Sequence, residues 1–178
     1  MLKAVEKIVA LAEEKNITFP EAVLLLDSKE SGISVEEIRA RMGERLADMR
    51  RSVREACANT IPCRIEEPMG AKLRAHGGGM AGEFIAAASA TAMEVASYNA
   101  VMGRIVAAPT AGSCGILPAA IVTMQEEYSL DEYDCVMALF TASAVGMVIG
   151  NNASLAGASG GCQAECGSAS RHGCSGDR

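Results

Sequence analysis

Apolar residues recur along this chain at the spacing of an α-helix, and no stretch of useful length alternates between apolar and polar positions as a strand does. One such apolar stripe runs through residues 2–12 and another through residues 38–53. A third apolar run, "CVMALFTASAVGMVIG", covers Cys135 to Gly150 with no charged residue. The pattern therefore predicts an all-α fold.

Polar residues that cap helices precede several of these segments. Thr18 stands just before a proline, which is typical of the first turn of a helix. Ser34 and Glu37 have the spacing of a capping box, and so do Ser129 and Glu132. These signals predict that helices begin at residues 19, 35 and 130.

The chain divides by composition into two regions of one domain. Residues 1–66 predict an N-terminal helical region with a charged exterior, and residues 67–178 predict a second region rich in Ala, Gly and Met. The segment from Cys63 to Gly82 is rich in turn residues and predicts a loop. From Glu83 to Ala108 the residues are small and apolar with few charges, so we expect one long buried helix that ends before Pro109.

Composition excludes several classes of function. The 178 residues suit a single domain, and their net charge of −6 argues against a nucleic-acid binder. The basic run from Met49 to Arg54 is expected to be the solvated face of a helix. The run from Cys135 to Gly150 is shorter than the ~20 residues of a membrane span, so it predicts a core helix and no membrane insertion.

The cysteines indicate a reducing compartment. The chain has seven of them, and the charged N-terminal segment does not resemble a signal peptide. We therefore expect a cytoplasmic protein in which the cysteines are buried thiols or metal ligands rather than disulfides.

The segment "APTAGSCGILP" is a candidate ligand loop. Gly112 and Gly115 allow the backbone to approach a ligand closely, and Thr110, Ser113 and Cys114 add short polar side chains. A helix follows at once, so its free N–H groups face the loop. The segment therefore predicts either a cradle for a small anion, such as a substrate carboxylate, or an ordinary turn between helices.

Two further groups of residues have chemistry of interest. Cys162 and Cys166 in "GGCQAECG" are four residues apart, on one face if the segment is helical. They are either half of a sulfur-ligand site or a pair of buried thiols. Lys72 and His76 fall in the predicted loop, either as catalytic bases or as solvated loop residues.

Two motifs together carry a family resemblance. "NAVMGRIVAAPTAGSCGILPAAI" and "NNASLAGASGGCQAECGSAS", in this order and at this separation, resemble the iron–sulfur L-serine dehydratases, most closely the α subunit of the two-chain form. The similarity runs from about Met69 to Ser170. It implies a lyase that converts L-serine to pyruvate and ammonia with a [4Fe–4S] cluster, working with a β subunit in amino-acid degradation and gluconeogenesis.

The resemblance also assigns residues. It implies a helical catalytic domain in which Cys162, the cysteine of G-C-Q-x-E, is the first of three cluster ligands. An open iron of the cluster would act as a Lewis acid on the serine hydroxyl. The loop of Thr110, Gly112, Ser113, Cys114 and Gly115 would hold the serine carboxylate. "MGAKL" is weakly similar to a segment where the family has a lysine, which suggests Lys72.

The C-terminal segment departs from the family pattern. The other two cluster cysteines belong to a C-D-P-V-x-G-x-V-x-V-P-C motif that this sequence does not contain, and "SRHGCSGDR" stands in place of a buried helix. One choice of codons for Ser170–Arg178, read one base later, encodes such a helix. The expectation is an incomplete, frameshifted catalytic domain that holds no stable cluster alone. A silent fragment that only binds the β chain and a related lyase acting on cysteine are the alternatives.

Overall fold

A computed structural model describes residues 5–59, 61, 67, 69–155 and 157–176. Within these residues the secondary structure is entirely helical, so the all-α prediction is confirmed. The helices are α1 (Glu6–Lys15), α2 (Phe19–Ser31), α3 (Val35–Cys57), α4 (Met69–His76), α5 (Glu83–Ala100), α6 (Ile116–Tyr128), α7 (Glu132–Asn152) and α8 (Gly157–Gly176). Short 3-10 helices cover Gly79–Ala81 and Ala111–Ser113.

Two of the three predicted helix starts are confirmed. The backbone N–H of Thr18 donates to the carboxylate of Glu21 at 2.7 Å, at the start of α2. The backbone N–H of Glu37 donates to the hydroxyl of Ser34 at 3.2 Å, at the start of α3. Each contact satisfies a backbone N–H at the start of a helix that has no partner within the helix.

The third predicted start, Ser129 with Glu132, is wrong. Asp131 caps α7 instead, because its carboxylate accepts the backbone N–H of Asp134 at 2.8 Å. Ser129 has a left-handed φ of 52° and ends α6. The spacing of a capping box was present by chance, and an aspartate two residues after Ser129 is the better cap.

The predicted loop from Cys63 to Gly82 contains helix α4, so this prediction is wrong for residues 69–76. Gly70 explains why a short helix is stable here. A Cβ atom on Gly70 would lie 2.7 Å from the carbonyl oxygen of Ala90 and 2.6 Å from Cγ of Glu94. Glycine thus brings α4 into direct contact with the backbone of α5, and this packing outweighs the turn-like composition.

Helix α5 ends at Ala100, eight residues earlier than predicted. Met102 has a left-handed φ of 67°, and the N–H of Gly103 donates to the carbonyl of Tyr98 at 2.8 Å, which closes the helix. A Cβ on Gly103 would lie 2.4 Å from the Tyr98 ring, so the turn packs against that ring. The helix therefore ends at this turn and not at Pro109, and residues 103–107 are non-helical.

Helix α7 lies in the core and packs against α2, α3 and α8. Its buried residues include Cys135, Leu139 and Phe140, each about 2% exposed. The helix is long and apolar enough to cross a membrane, by length and composition alone. The prediction that the run was too short is therefore wrong, whereas the prediction of a core helix is confirmed by the contacts with α2 and α3.

A charged network ties α3, α4 and α5 together. The guanidinium of Arg74 donates to both carboxylate oxygens of Glu94, at 3.2 and 2.7 Å, and to the hydroxyl of Thr91 at 2.9 Å. The thiol of Cys57 donates to Glu94 at 3.0 Å. Burial raises the pKa of Cys57 to about 11, and the hydrogen bond to Glu94 acts in the same direction. These contacts fix the position of α5, whose C-terminal end leads toward the candidate loop.

The C-terminal segment is helical rather than a flexible tail. Helix α8 runs to Gly176, and it is interrupted at Gly161, whose φ of 71° and ψ of 179° are not helical. Cys162 follows this break directly and so stands in the first turn of the longer helical segment. The helix packs against α6, α7 and the 3-10 helix Ala111–Ser113, which places the cysteine motif beside the candidate loop.

Candidate functional site

The candidate loop connects α5 to α6 through the 3-10 helix Ala111–Ser113. The side-chain amide of Asn99, at the end of α5, donates to the carbonyl oxygen of Ala111 at 3.0 Å. Ser113 and Cys114 are buried, whereas Thr110 is half-buried and Gly112 is exposed. The loop therefore has a buried side that faces the helices and an open side at Thr110 and Gly112.

Gly115 fixes the buried side of the loop. A Cβ atom at this position would lie 2.1 Å from the carbonyl oxygen of Ala92 and 3.0 Å from its carbonyl carbon. Such distances are far inside van der Waals contact, and the atoms involved belong to the rigid backbone of α5. Gly115 is thus a packing residue that lets the start of α6 touch α5.

The open side of the loop is covered by Glu165 of α8. The hydroxyl of Thr110 donates a hydrogen bond to a carboxylate oxygen of Glu165. A Cβ atom on Gly112 would lie 2.6–2.8 Å from the three atoms of the Glu165 carboxyl group. The space that glycine leaves open is therefore occupied by a carboxylate of the protein itself. This contact joins the two motifs that carry the family resemblance.

The hydroxyl groups of the loop form a directed chain of hydrogen bonds. Thr110 Oγ1 and Ser113 Oγ lie 3.0 Å apart. A carboxylate only accepts hydrogen bonds, so the single hydroxyl proton of Thr110 is used for Glu165. Ser113 is then the donor in its contact with Thr110, where both the hydroxyl oxygen and, at 3.5 Å, the carbonyl oxygen can accept its proton.

Cys114 is a buried thiol of the loop and no nucleophile. Its side chain is fully buried, and burial raises its pKa to about 11, with the charge of Glu165 adding to the effect. At neutral pH the thiol is therefore protonated. Together with Val53, Ala56, Val95 and Val122 it forms a small hydrophobic cluster between α3, α5 and α6.

The thiols of Cys162 and Cys166 lie on one face of α8, as predicted, with their sulfur atoms 3.7 Å apart. Cys162 is exposed and Cys166 is half-buried. Burial raises the pKa of Cys166, and its hydrogen bond with Cys162 and the charge of Glu165 act in the same direction. The pair stands one helical turn or less from Glu165, so two thiols and one carboxylate share this face.

The residues described by the structure do not supply a full set of ligands for a [4Fe–4S] cluster. Such a cluster is held by three or four cysteine thiolates. No group of three or more His, Cys, Asp or Glu side chains within the described ranges is arranged to hold a metal ion. Cys162 is exposed, Cys114 and Cys135 are buried, and Cys63 lies outside the described residues.

Lys72 is not brought to the loop. It lies on α4, not in a loop as predicted, and its ammonium group forms an exposed ion pair with Glu67. No hydrogen bond or ion pair in the described part of the chain links Lys72 with Thr110 or Ser113. His76 is exposed at the end of the same helix. Both positions fit the alternative that these are solvated surface residues.

Glu165 is the residue of this site that the sequence analysis missed. A signal for it was present, since it stands three residues after Cys162 and therefore on the same side of a helix. The spacing does not reveal its partner, because Thr110 lies 55 residues away along the chain. Only the packing of α8 against the loop brings the two together.

An apolar cavity of about 560 Å³ adjoins the loop at Pro109. Its walls come from α3, α6, α7 and the segment before the loop, and include Met42, Leu117 and Met147. Thr110 and Glu165 do not line it. The polar chemistry of the loop is thus on a separate surface from this cavity.

Comparison with known protein families shows which family this chain belongs to. The family model described as serine dehydratase alpha chain matches residues 8–175. The chain belongs to the serine dehydratase alpha chain family. This serine dehydratase family member is 37% identical, over 96% of its length, to the L-serine dehydratase alpha chain of Peptoniphilus asaccharolyticus. It is 33% identical to the probable L-serine dehydratase alpha chain of Bacillus subtilis, again over 96% of its length.

The chain matches only part of the length of each of these relatives. The chain spans 60% of the Peptoniphilus protein and 58% of the Bacillus protein. A shorter stretch, 43% of the chain, is 39% identical to L-serine dehydratase TdcG of Escherichia coli, of which it covers 17%. No solved structure matches the chain significantly.

Proposed function

We propose that this chain acts as the α chain of an L-serine ammonia-lyase that converts L-serine to pyruvate and ammonia together with a β chain. The support is its membership of the serine dehydratase alpha chain family and the names of its relatives. The observation that carries the proposal is the contact of Glu165 with Thr110 and Gly112. It brings the two segments of the family resemblance together as one polar site.

The proposed reaction is a β-elimination. The α-proton and the β-hydroxide of serine leave together as water, which yields 2-aminoacrylate. This enamine takes up a proton at its β-carbon, and the resulting imine is hydrolysed to pyruvate and ammonia. The open side of the loop, at Thr110 and Gly112, supplies the surface that binds serine, while Ser113, Cys114 and Gly115 support it from the buried side.

The proposed cofactor of the complete enzyme is a [4Fe–4S] cluster. Cys162 supplies one thiolate ligand, and its exposure beside the loop supports this role. The other two cluster cysteines of the family belong to a motif that this sequence does not contain. A cytoplasmic location belongs to the same proposal, since a reducing compartment keeps such thiols free.

The test is an assay of substrate preference with the α chain assembled with the β chain of the same source. After anaerobic reconstitution with iron and sulfide, L-serine is expected to release pyruvate faster than L-cysteine does, and L-threonine to yield 2-oxobutyrate slowly if at all. The matched control is Cys162→Ser, which is expected to bind less iron and to lose the activity.

Three results would contradict the proposal. Pyruvate from cysteine but not from serine would indicate the related cysteine lyase. Binding to the β chain with iron uptake but no turnover would indicate a silent partner. Full activity in the Cys162→Ser enzyme would show that this thiol is not a cluster ligand.

A further inference from the structure

Glu165 and Glu21 are the half-buried carboxylates of the described chain that form no ion pair there; Glu21 instead accepts the backbone N–H and the hydroxyl of Thr18. Glu94 is paired with Arg74, and Asp48 is paired with Arg51 and other arginines. None of the ion pairs found among the described residues involves Glu165. Partly removing a carboxylate from water is unfavourable unless a positive group or several hydrogen bonds compensate for it.

Among the described residues, one hydrogen-bond donor reaches the Glu165 carboxylate. One carboxylate oxygen accepts the hydroxyl of Thr110, and two thiols, Cys162 and Cys166, stand on the same helix face. The second oxygen accepts no hydrogen bond from the described residues. The site therefore offers a negative group with a free acceptor atom beside the proposed substrate loop.

We propose that Glu165 is the residue that binds the α-ammonium group of the amino-acid substrate. This inference rests on the proposed function, and it adds the group that distinguishes an amino acid from a hydroxy acid. An ammonium group supplies both the missing positive charge and the missing donor. A carboxylate–ammonium hydrogen bond is among the stronger polar contacts in proteins.

The alternative, in which the substrate carboxylate takes the place of Glu165, is less favourable. The space at Gly112 is filled by the Glu165 carboxyl group, and the hydroxyl of Thr110 already donates to it. Two carboxylates at this position would repel each other at short range. An ammonium group can bind to Glu165 while Glu165 keeps its contact with Thr110, whereas a substrate carboxylate can bind there only if Glu165 moves away.

Two non-reacting probes separate these possibilities. L-alanine has the ammonium and carboxylate groups of serine but no leaving hydroxyl, and L-lactate has a hydroxyl group in place of the ammonium. Binding of each to the assembled enzyme is measured by titration calorimetry. Glu165→Gln is expected to weaken L-alanine binding about ten- to a hundredfold, as the loss of one charged hydrogen bond does, and to leave L-lactate binding unchanged.

The matched control is Glu127→Gln, which removes the same charge from an exposed position at the end of α6 and is expected to bind both probes as the wild type does. Glu165→Asp keeps the charge, is expected to retain part of the preference for L-alanine, and provides a folded variant if Glu165→Gln is unstable. Thermal unfolding of each variant is compared with the wild type.

Each other outcome is informative. Equal weakening of both probes would overturn the inference and show that Glu165 is a structural tie. If Glu165→Gln bound both L-alanine and L-lactate more tightly, the inference would be overturned. Glu165 would then be a group that the carboxylate of a ligand has to displace from the loop. If the wild-type enzyme binds neither probe, the inference and the serine-binding role of the loop both fail. Intact pyruvate release with no change in probe preference would overturn the inference alone.

Discussion

Replacing Gly115 by alanine is expected to lower the free energy of unfolding by about 3 kcal/mol, at the upper end of what one extra methyl group costs in a packed interior. The new Cβ atom would lie 2.1 Å from the carbonyl oxygen of Ala92. Because that oxygen belongs to the backbone of α5, relief requires α6 to move away from α5. Chemical denaturation measures the change.

Gly43→Ala is the matched control for this prediction. It makes the same chemical change within α3, where a Cβ atom has no neighbour within 4 Å. Alanine is the better helix former, so this variant is expected to be more stable than the wild type by about 1 kcal/mol. If the Gly115 variant were as stable as the Gly43 variant, the close packing of α5 on α6 would be contradicted.

Replacing Gly112 by valine is expected to raise the KM for serine about tenfold or more while the enzyme still binds iron. The Cβ atom would displace the Glu165 carboxyl group, whose nearest atom lies 2.6 Å away, and would separate it from Thr110. Loss of one charged hydrogen bond accounts for this magnitude. The stability changes little, since the displaced group is the end of a flexible side chain.

Kinetics and iron analysis of the same assembled enzyme test this prediction. Gly167→Val is the control, because it makes the same change on α8 at a position with open space and should leave KM near the wild-type value. If Gly112→Val lost its iron together with its activity, the loop would be a structural element and its role in binding serine would be contradicted.

The helices could largely be predicted from the sequence because apolar spacing and helix caps depend on residues that are close together along the chain. Thr18 and Ser34 begin their helices as expected, since the residues that satisfy them are three positions away. Features that depend on packing between distant segments could not be predicted in this way. Helix α4 forms because Gly70 contacts α5, and α5 ends at Ala100 because the turn at Gly103 packs on Tyr98.

The candidate site was predicted only in part for the same reason. The spacing of Cys162 and Cys166 on one helix face is local, and the structure confirms it. The partner of the loop is Glu165, which is distant in sequence, so the composition of the loop indicated an anion site without showing that a carboxylate of the chain lies there. The lysine suggested by a short resemblance, Lys72, lies on the surface of α4 in an ion pair.

The central claim, that Thr110 and Glu165 form one serine site, is tested most directly by a double-mutant cycle on kcat/KM for L-serine. Thr110→Val and Glu165→Ala are measured singly and together in the assembled enzyme. Because Thr110 acts by holding Glu165, the double variant is expected to be little worse than Glu165→Ala alone, with a coupling of about 1 kcal/mol or more. If the loss of kcat/KM in the double variant equalled the product of the two single losses, the claim would be contradicted.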